Sequence, residues 1–299
     1  MKYTLWFLLI LLLPLSLLGQ TPVPEALTAE GIEQRVIEQY RAGVMTELER
    51  FTMTHGPATD DGTAFDGEPE VSEMMRAIRY ASDGETSLIE ITGPDGGSAV
   101  GTKVLSRDLP PSDVGGRRIW RLYVRLPDDR EGRSFAGTSE TKRWNSSGIS
   151  YRDVKILEGR QMLEDYTFEL LDPNGSVDRT SCFVLRARPK AGVVCEYAFF
   201  DLCIRKDVFF TIQIRTYDKS RTPRSWKIFS ISALTRADLG EGRRVTRAME
   251  VEVRDELEHY RTILSFKDRR VNVPIDPSRC TEAYVNSRET YDFFGGARR

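Results

Sequence analysis

The amino-acid sequence predicts a mainly β protein of the α+β class, in which one helix precedes a large, curled antiparallel sheet. From about residue 71 onward, eight or more short segments alternate apolar and polar residues with a period of two, and turn signals separate them. Before these segments, residues 28–43 repeat apolar side chains at helical spacing. So many successive strands do not lie flat, and we therefore expect the sheet to curl.

The composition gives no indication of a nucleic-acid partner. The 299 residues are 40% hydrophobic and 29% charged, and the formal net charge is −2. A charge so close to balance provides no basic field that would attract nucleic acid, so we expect no such partner.

The first twenty residues differ from the rest of the chain. Lys2 precedes an apolar run over residues 5–18, which Pro14 interrupts, and small or polar residues follow. The run is shorter than the roughly 20 residues of a membrane span, so we predict a cleaved signal peptide over 1–20 rather than an anchor. The strands from 71 to 285 follow one another without a break, which predicts a single exported domain over 21–299 with its core at about 28–285.

The leading helix is predicted to begin at Thr28, a residue type that caps helix N-termini. Ile32, Val36 and Tyr40 then recur on one face, with Glu and Arg between them. A loop rich in Gly, Pro and Asp is expected over 56–69.

Each predicted strand presents large apolar side chains on one face. In residues 117–127, Trp120, Leu122, Val124 and Leu126 share a face, while Arg121, Tyr123 and Arg125 share the opposite face, which we expect to meet water. Turns are predicted at 172–175, 190–192 and 240–242. The apolar faces line either a filled core or a ligand cavity, and the candidate lining residues are Ile89, Ile91, Trp120, Leu122, Val124, Phe168, Leu170, Phe183, Leu185, Phe200, Leu202, Phe210, Ile212, Ile214, Met249, Val251, Leu264 and Phe266.

The irregular segment 130–154 interrupts the run of strands. It is rich in Gly, Ser, Thr and Asn, and its large apolar members are Phe135, Trp144 and Tyr151. A long loop of this kind, with or without a short helix, is either a lid over the sheet or a mobile surface loop, and both interpretations stay open.

The sequence contains no assembled catalytic or metal-binding set. His55 and His259 lie in no metal-binding motif, and neither a P-loop nor a G-x-S-x-G elbow is present. We therefore predict a protein that is not an enzyme and has no metal or cofactor. In an exported chain, Cys182, Cys195, Cys203 and Cys280 are either disulfide-bonded or free buried thiols. A turn centred on 190–191 would place Cys182 opposite Phe199, so a direct Cys182–Cys195 bridge would require a shifted turn.

In order and spacing, the segments resemble the periplasmic outer-membrane lipoprotein-sorting proteins, whose fold is that of the carrier LolA. The resemblance covers about residues 28–285 and rests on Gly101-Thr102 before a strand, followed by "IWRLYVRLP", "RSFAGTSE", "SYRDV", "EDYTFELL", "CFVLRARPK", "SWKIFSISAL" and "TILSFKDRRVNVPID". The chain departs from the family between residues 135 and 153, where Ala136 replaces a methionine and an insertion precedes "SYRD". Details of the family's loop are therefore not transferable here.

The resemblance implies a half-barrel with helices over its mouth and an apolar concave face that holds acyl chains. A buried 16-carbon chain gains roughly 13 kcal/mol, so a lipoprotein crossing water needs a comparable apolar cavity. We expect a monomeric periplasmic carrier, with acylated lipoproteins or lipids as partners and envelope membrane proteins as further candidates. The alternative is an envelope sensor or interaction domain on the same fold, as in the RseB-type regulators.

Overall fold

One open, curved antiparallel sheet of thirteen strands forms the body of the computed structural model. The described residues are 27–41, 43–82, 84–94, 97–109, 119–136, 143–144, 147–160, 162–290 and 294. The strands are β1 (Thr46–Pro57), β2 (Glu70–Ala81), β3 (Gly84–Gly93), β4 (Lys103–Leu109), β5 (Ile119–Arg125), β6 (Arg133–Ala136), β7 (Tyr166–Val177), β8 (Thr180–Pro189), β9 (Phe199–Arg205), β10 (Phe210–Tyr217), β11 (Ser225–Gly240), β12 (Arg243–Asp255) and β13 (Tyr260–Val271). The predicted mainly β half-barrel is confirmed.

The sheet consists of two meanders joined where β1 pairs with β13. The spatial order is β6-β5-β4-β3-β2-β1-β13-β12-β11-β10-β9-β8-β7, so β6 and β7 are the two edges although they are consecutive in the chain. Their connection carries α2 (Tyr151–Leu157) and α3 (Met162–Asp165). The apolar residues of these helices join the core of the concave face together with those of α1 (Ala29–Arg41). The topology therefore leads a pair of short helices across the mouth of the half-barrel.

The predicted first helix is confirmed as α1. The backbone amide of Gly31 donates to the Thr28 hydroxyl at 3.0 Å, and Ile32 and Val36 are buried. The expectation that strands begin near residue 71 is wrong, because β1 already begins at Thr46. This strand has Glu47 and Glu49 on its inner face, so it lacks the apolar alternation that marks the other strands.

The turns agree only in part with the predictions. Residues 172–175 lie within β7, where the pairing with β8 shifts register, and the chain reverses at Asp178 and Arg179. Between β11 and β12, Glu241 and Gly242 have φ values of 53° and 75°, which fits a two-residue hairpin loop of the type that favours glycine.

The cysteines are free thiols. The β8–β9 register places Cys182 opposite Arg205 rather than Phe199, so a direct cross-strand bridge to Cys195 is excluded. Burial is the main cause that raises the pKa of both thiols.

The C-terminal helix α4 (Glu282–Asn286) follows a short 3-10 turn (Pro277–Arg279) and packs on the convex face. Tyr284 and Val285 form a second core with Leu88 and Leu105. The prediction that the outer face of β5 meets water is therefore wrong for two residues: the Tyr123 hydroxyl bonds Asn286, and the buried Arg125 donates to the Ser287 carbonyl at 3.4 Å.

The C-terminal end of the predicted apolar face of β5 also differs from its start. Leu126 was expected beside Trp120 and Leu122, but it lies just beyond the strand and is 51% exposed. Arg121 is exposed, as predicted.

Candidate functional site

Most of the candidate lining residues meet on the concave face. Eleven of them are buried in one continuous core with α1, α2 and α3: Ile89, Ile91, Trp120, Leu122, Leu185, Phe200, Leu202, Phe210, Ile214, Val251 and Leu264. Six more are half-buried and pack against the same core: Val124, Phe168, Leu170, Phe183, Ile212 and Phe266.

Met249 is the exception among these candidates. It is half-buried and lies outside the core, whereas the neighbouring Ala248 belongs to it. The pairing of β12 with β13 covers Glu250–Asp255, so Met249 precedes the segment whose alternation that ladder fixes.

The three residues proposed for the lid all reach the concave side. Trp144 is buried with its ring centroid 6.3 Å from that of Phe51, and Tyr151 meets Trp120 edge to face at 5.7 Å. Phe135, on β6, packs half-buried against the core. Residues 137–142 and 145–146 of the predicted lid loop lie outside the described residues.

Helix α2 begins with a capping box. The Ser150 hydroxyl accepts from the backbone amide of Asp153 at 3.1 Å, and the Asp153 carboxylate accepts from the amide of Ser150 at 2.8 Å. A seven-residue helix is too short to be stable alone, so its tertiary contacts hold it in place.

Buried polar contacts hold the N-terminal end of α2. The Lys227 ammonium on β11 lies 2.7 Å from a carboxylate oxygen of Asp153, and the Tyr197 hydroxyl donates to the other oxygen. The Ser150 hydroxyl also donates to Glu196 at 2.8 Å, and burial together with the nearby Asp153 charge raises the pKa of Glu196.

Beyond its C-terminal end, α2 meets a charged network buried between the helices and the sheet. Its members are all less than one tenth exposed, and they are Arg76, Arg160, Arg247 and Arg269 with Glu47, Glu49, Glu85 and Glu158. Four positive and four negative charges balance one another when every carboxyl group is ionised. We call this set the buried charge network.

Within the buried charge network, two arginines pair with carboxylates of the sheet itself. The Arg247 guanidinium lies 2.9 Å from Glu47, and that of Arg269 contacts Glu49 and lies 3.0 Å from Glu47. The β1–β13 register explains the second pair, because Glu49 lies directly opposite Arg269.

The other two arginines connect the sheet to the α2 segment. Arg160 contacts Glu85 on β3 and lies 2.6 Å from Glu158, while Arg76 on β2 contacts Glu158. Arg76 also lies 3.4 Å from Glu49, its cross-strand neighbour.

The arginines keep some of the buried carboxyl groups ionised. Burial opposes ionisation throughout, but Arg269 and Arg247 outweigh it and lower the pKa of Glu47. Arg160 and Arg76 likewise lower the pKa of Glu158. At Glu85 burial prevails over Arg160 and raises the pKa to about 7, so this carboxyl group titrates near neutral pH.

A cavity of about 70 Å³ lies between α2 and the concave face, where the buried charge network meets the apolar core. Its lining includes the apolar Phe51, Leu264 and Phe266 of the sheet. It also includes the charged Glu49, Arg76 and Arg269 of the same sheet and Glu158 at the end of α2. The volume suits a few water molecules, at roughly 10–15 Å³ each, so the helices fill most of the half-barrel in this conformation.

A separate buried carboxyl group lies under α1. Glu33 is 1% exposed and borders a smaller cavity of about 20 Å³ among Val36, Met162, Leu202 and Phe210. Its Oε2 atom has no hydrogen-bond partner among the described residues, and burial raises its pKa to about 8. Glu33 is therefore protonated at neutral pH.

The buried charges of the site were not predicted from the sequence. The expected concave face was apolar throughout, whereas one end of it carries the buried charge network. The alternation of Glu47 and Glu49 along β1 was the available indication, but charged residues at period two usually mark a solvated face. Within the described ranges, no cluster of His, Cys, Asp and Glu is arranged to hold a metal ion, and no helix is long and apolar enough to span a membrane.

The fold is shared with two solved structures of low sequence identity. A DUF1329 family protein from Desulfovibrio piger aligns with a TM-score of 0.72 at 18% identity, over 86% of this chain and 99% of that chain. An outer membrane lipoprotein-sorting protein domain from Vibrio parahaemolyticus aligns with a TM-score of 0.68 at 16% identity, over 85% and 100% of the two chains. The predicted resemblance to the lipoprotein-sorting proteins is therefore confirmed for the fold.

MucB in complex with MucA aligns with a TM-score of only 0.22 at 12% identity, over 82% of this chain and 94% of that chain. No curated protein sequence matches the chain. A family model described as "uncharacterized protein" matches residues 84–287, which is more than half of the chain. The chain belongs to this family and has the LolA-like half-barrel fold.

Proposed function

We propose that the protein is a periplasmic carrier that binds acyl chains of lipoproteins or lipids in the cavity between α2 and the concave face. The observation that carries the proposal is the position of this cavity, which lies between a short helix and the end of the apolar core on the concave face. The role proposed is one of binding rather than catalysis, with export directed by the predicted signal peptide.

Binding of a long chain requires α2 to move away from the sheet, because the cavity of about 70 Å³ holds only a few waters. The contacts of α2 are only partly apolar. Three of its four fully buried residues are charged (Arg152, Asp153 and Lys155), and the fourth is Ile156. Because further apolar residues of α2 are half-buried against the core, lifting the helix would transfer both charged and apolar groups to water.

The proposal is tested by photo-crosslinking in cells with the full chain. Probes at Leu122 and Phe200 report the concave face, and probes at the exposed Arg121 and Arg215 serve as convex-face controls. Capture of acylated lipoproteins or lipids from the concave probes alone is the expected result. Intramolecular links alone from those probes would contradict the proposal and favour a permanently filled core.

A cavity-filling variant provides a second test in vitro. Ala248 is buried in the cavity wall, so Ala248→Leu is expected to weaken binding of a palmitoylated peptide without adding a polar group. Ala283→Leu, at an exposed position of α4, is the matched control. Unchanged binding by a folded Ala248→Leu protein would show that the acyl chain lies elsewhere.

A further inference from the structure

Among the arginines of the sheet in the buried charge network, Arg76 is the one whose closest carboxylate belongs to the α2 segment and not to another strand. Arg247 and Arg269 both contact carboxylates of β1. The sheet carboxylates lie farther from Arg76, Glu49 at 3.4 Å and Glu85 at 3.8 Å. Each of them has a closer arginine partner, which is Arg269 for Glu49 and Arg160 for Glu85. Glu158, at the end of α2, therefore provides the closest counter-charge of Arg76.

Glu158 occupies a position from which it can be displaced. It is the C-cap residue of α2, immediately after the last helical residue Leu157, and its side chain forms part of the cavity wall. Its carboxylate can turn away from Arg76 while Arg160 still holds the segment to Glu85. The ionised form of Glu158 is favoured at this position despite burial, because Arg160 and Arg76 lower its pKa.

The sheet side of the cavity is prepared for an anion next to an apolar chain. The Arg76 Nε donates to the Ser87 hydroxyl at 2.8 Å, which orients the guanidinium and turns Nη1 toward the carboxylates. On the neighbouring strands β1 and β13, the rings of Phe51 and Phe266 lie 5.2 Å apart and line the same cavity together with Leu264. A guanidinium and an apolar wall thus face the same space.

Because the Arg76 guanidinium and apolar side chains line the same cavity, we infer that the ligand is a long-chain amphiphile with an anionic head. This inference rests on the acyl-binding function proposed above. Its head replaces the Glu158 carboxylate on Arg76, and its chain follows the apolar wall. A neutral head that displaced Glu158 would leave Arg76 buried without its closest counter-charge, which is unfavourable. An anionic head restores the charge balance and the hydrogen bonds of the guanidinium.

The test compares three probes on the purified full chain: palmitate, neutral monopalmitin and palmitoyl-lysophosphatidylglycerol, whose head carries a phosphate. We expect the anionic probes to bind about tenfold or more tightly than monopalmitin, the usual scale for one charge-assisted hydrogen bond. Tight binding of either anionic probe supports the inference, and their relative affinity distinguishes a carboxylate head from a phosphate head.

Two variants test the competition between ligand and lid. Glu158→Gln removes the competing charge, so palmitate should bind more tightly while monopalmitin is unaffected. Arg76→Gln should abolish the preference for the anionic probes. Glu38→Gln and Arg221→Gln, at exposed positions, are the matched controls. If the Arg76→Gln variant does not fold, the affinities of Glu158→Gln for palmitate and monopalmitin test the inference by themselves.

The outcomes separate this inference from the proposed function. Equal binding of palmitate, lysophosphatidylglycerol and monopalmitin, unchanged in Glu158→Gln, would overturn the anionic head and leave acyl binding intact. Binding of none of the three probes would overturn the acyl-binding function and this inference with it.

Discussion

Glu33 should make the stability of the protein fall as the pH rises above about 4.5. Its carboxyl group is buried under α1, its Oε2 atom has no partner among the described residues, and burial raises its pKa from 4.5 to about 8. The folded state therefore holds this proton more tightly than the unfolded state. The resulting stability is fully present below pH 4.5 and is lost progressively as the pH approaches 8.

The magnitude follows from the difference between the two pKa values. One pKa unit corresponds to about 1.36 kcal/mol, so ionisation of Glu33 in the unfolded chain costs roughly 3 kcal/mol of stability at pH 7 and roughly 5 kcal/mol above pH 8. In the Glu33→Gln variant, the amide side chain has the shape of the protonated carboxyl group and does not titrate. The variant should match the parent protein at pH 4.5 and exceed its stability by these amounts at pH 7 and 9.

Urea unfolding at pH 4.5, 7 and 9 gives the free energy of unfolding of both proteins. In the difference between the two values, the contributions of all other titrating groups cancel. Glu38→Gln, on the exposed side of the same helix, is the matched control and should change stability by a few tenths of a kcal/mol at every pH. A Glu33→Gln difference that does not vary with pH would refute the assignment of a buried, protonated carboxyl group.

Three further predictions concern contacts around the sheet. Lys103→Met removes the ammonium group that donates to the carbonyls of Tyr284, Ser287 and Glu289 at 3.3, 3.0 and 2.5 Å. The free energy of opening of α4, measured by hydrogen exchange, should therefore fall by about 1.5–3 kcal/mol. Lys227→Met leaves the buried Asp153 without its cation and should cost about 3–5 kcal/mol in urea unfolding, a loss that Asp153→Asn in the same chain should partly reverse. Gly132→Ala would place a Cβ atom 2.5 Å from the ring of Tyr123 and should cost about 1–3 kcal/mol in urea unfolding as that ring moves away from Asn286.

The elements that were predicted correctly from the sequence have an uninterrupted apolar periodicity. In α1, Ile32 and Val36 recur at helical spacing, and in β9 the buried residues Phe200, Leu202 and Ile204 alternate with half-buried ones. Burial of one face enforces that alternation, so the pattern and the structure agree. The apolar half of the concave face was predictable for the same reason.

The remaining elements break this link between pattern and burial. In β1 and β2, the inner face changes from Glu49 and Arg76 to Phe51 and Met74 within one strand repeat. A single sequence does not show that charges of opposite sign will lie opposite one another, because their pairing depends on the register of strands that are distant in the chain. In β7, the bulges near residues 172–175 absorb residues that otherwise read as a turn.

The buried charge network also affects what kind of lid α2 can be. A lid closed by apolar packing alone would expose that apolar area whenever it opened, at about 25 cal/mol per Å². A lid closed by buried ion pairs behaves differently, since the Coulombic attraction is largely offset by the cost of removing the charges from water. Opening would return the Glu158 carboxylate to water, which recovers part of that cost. We therefore expect the network to fix where α2 rests without making its closed position strongly favourable, which is what the proposed acyl-chain carrier would need.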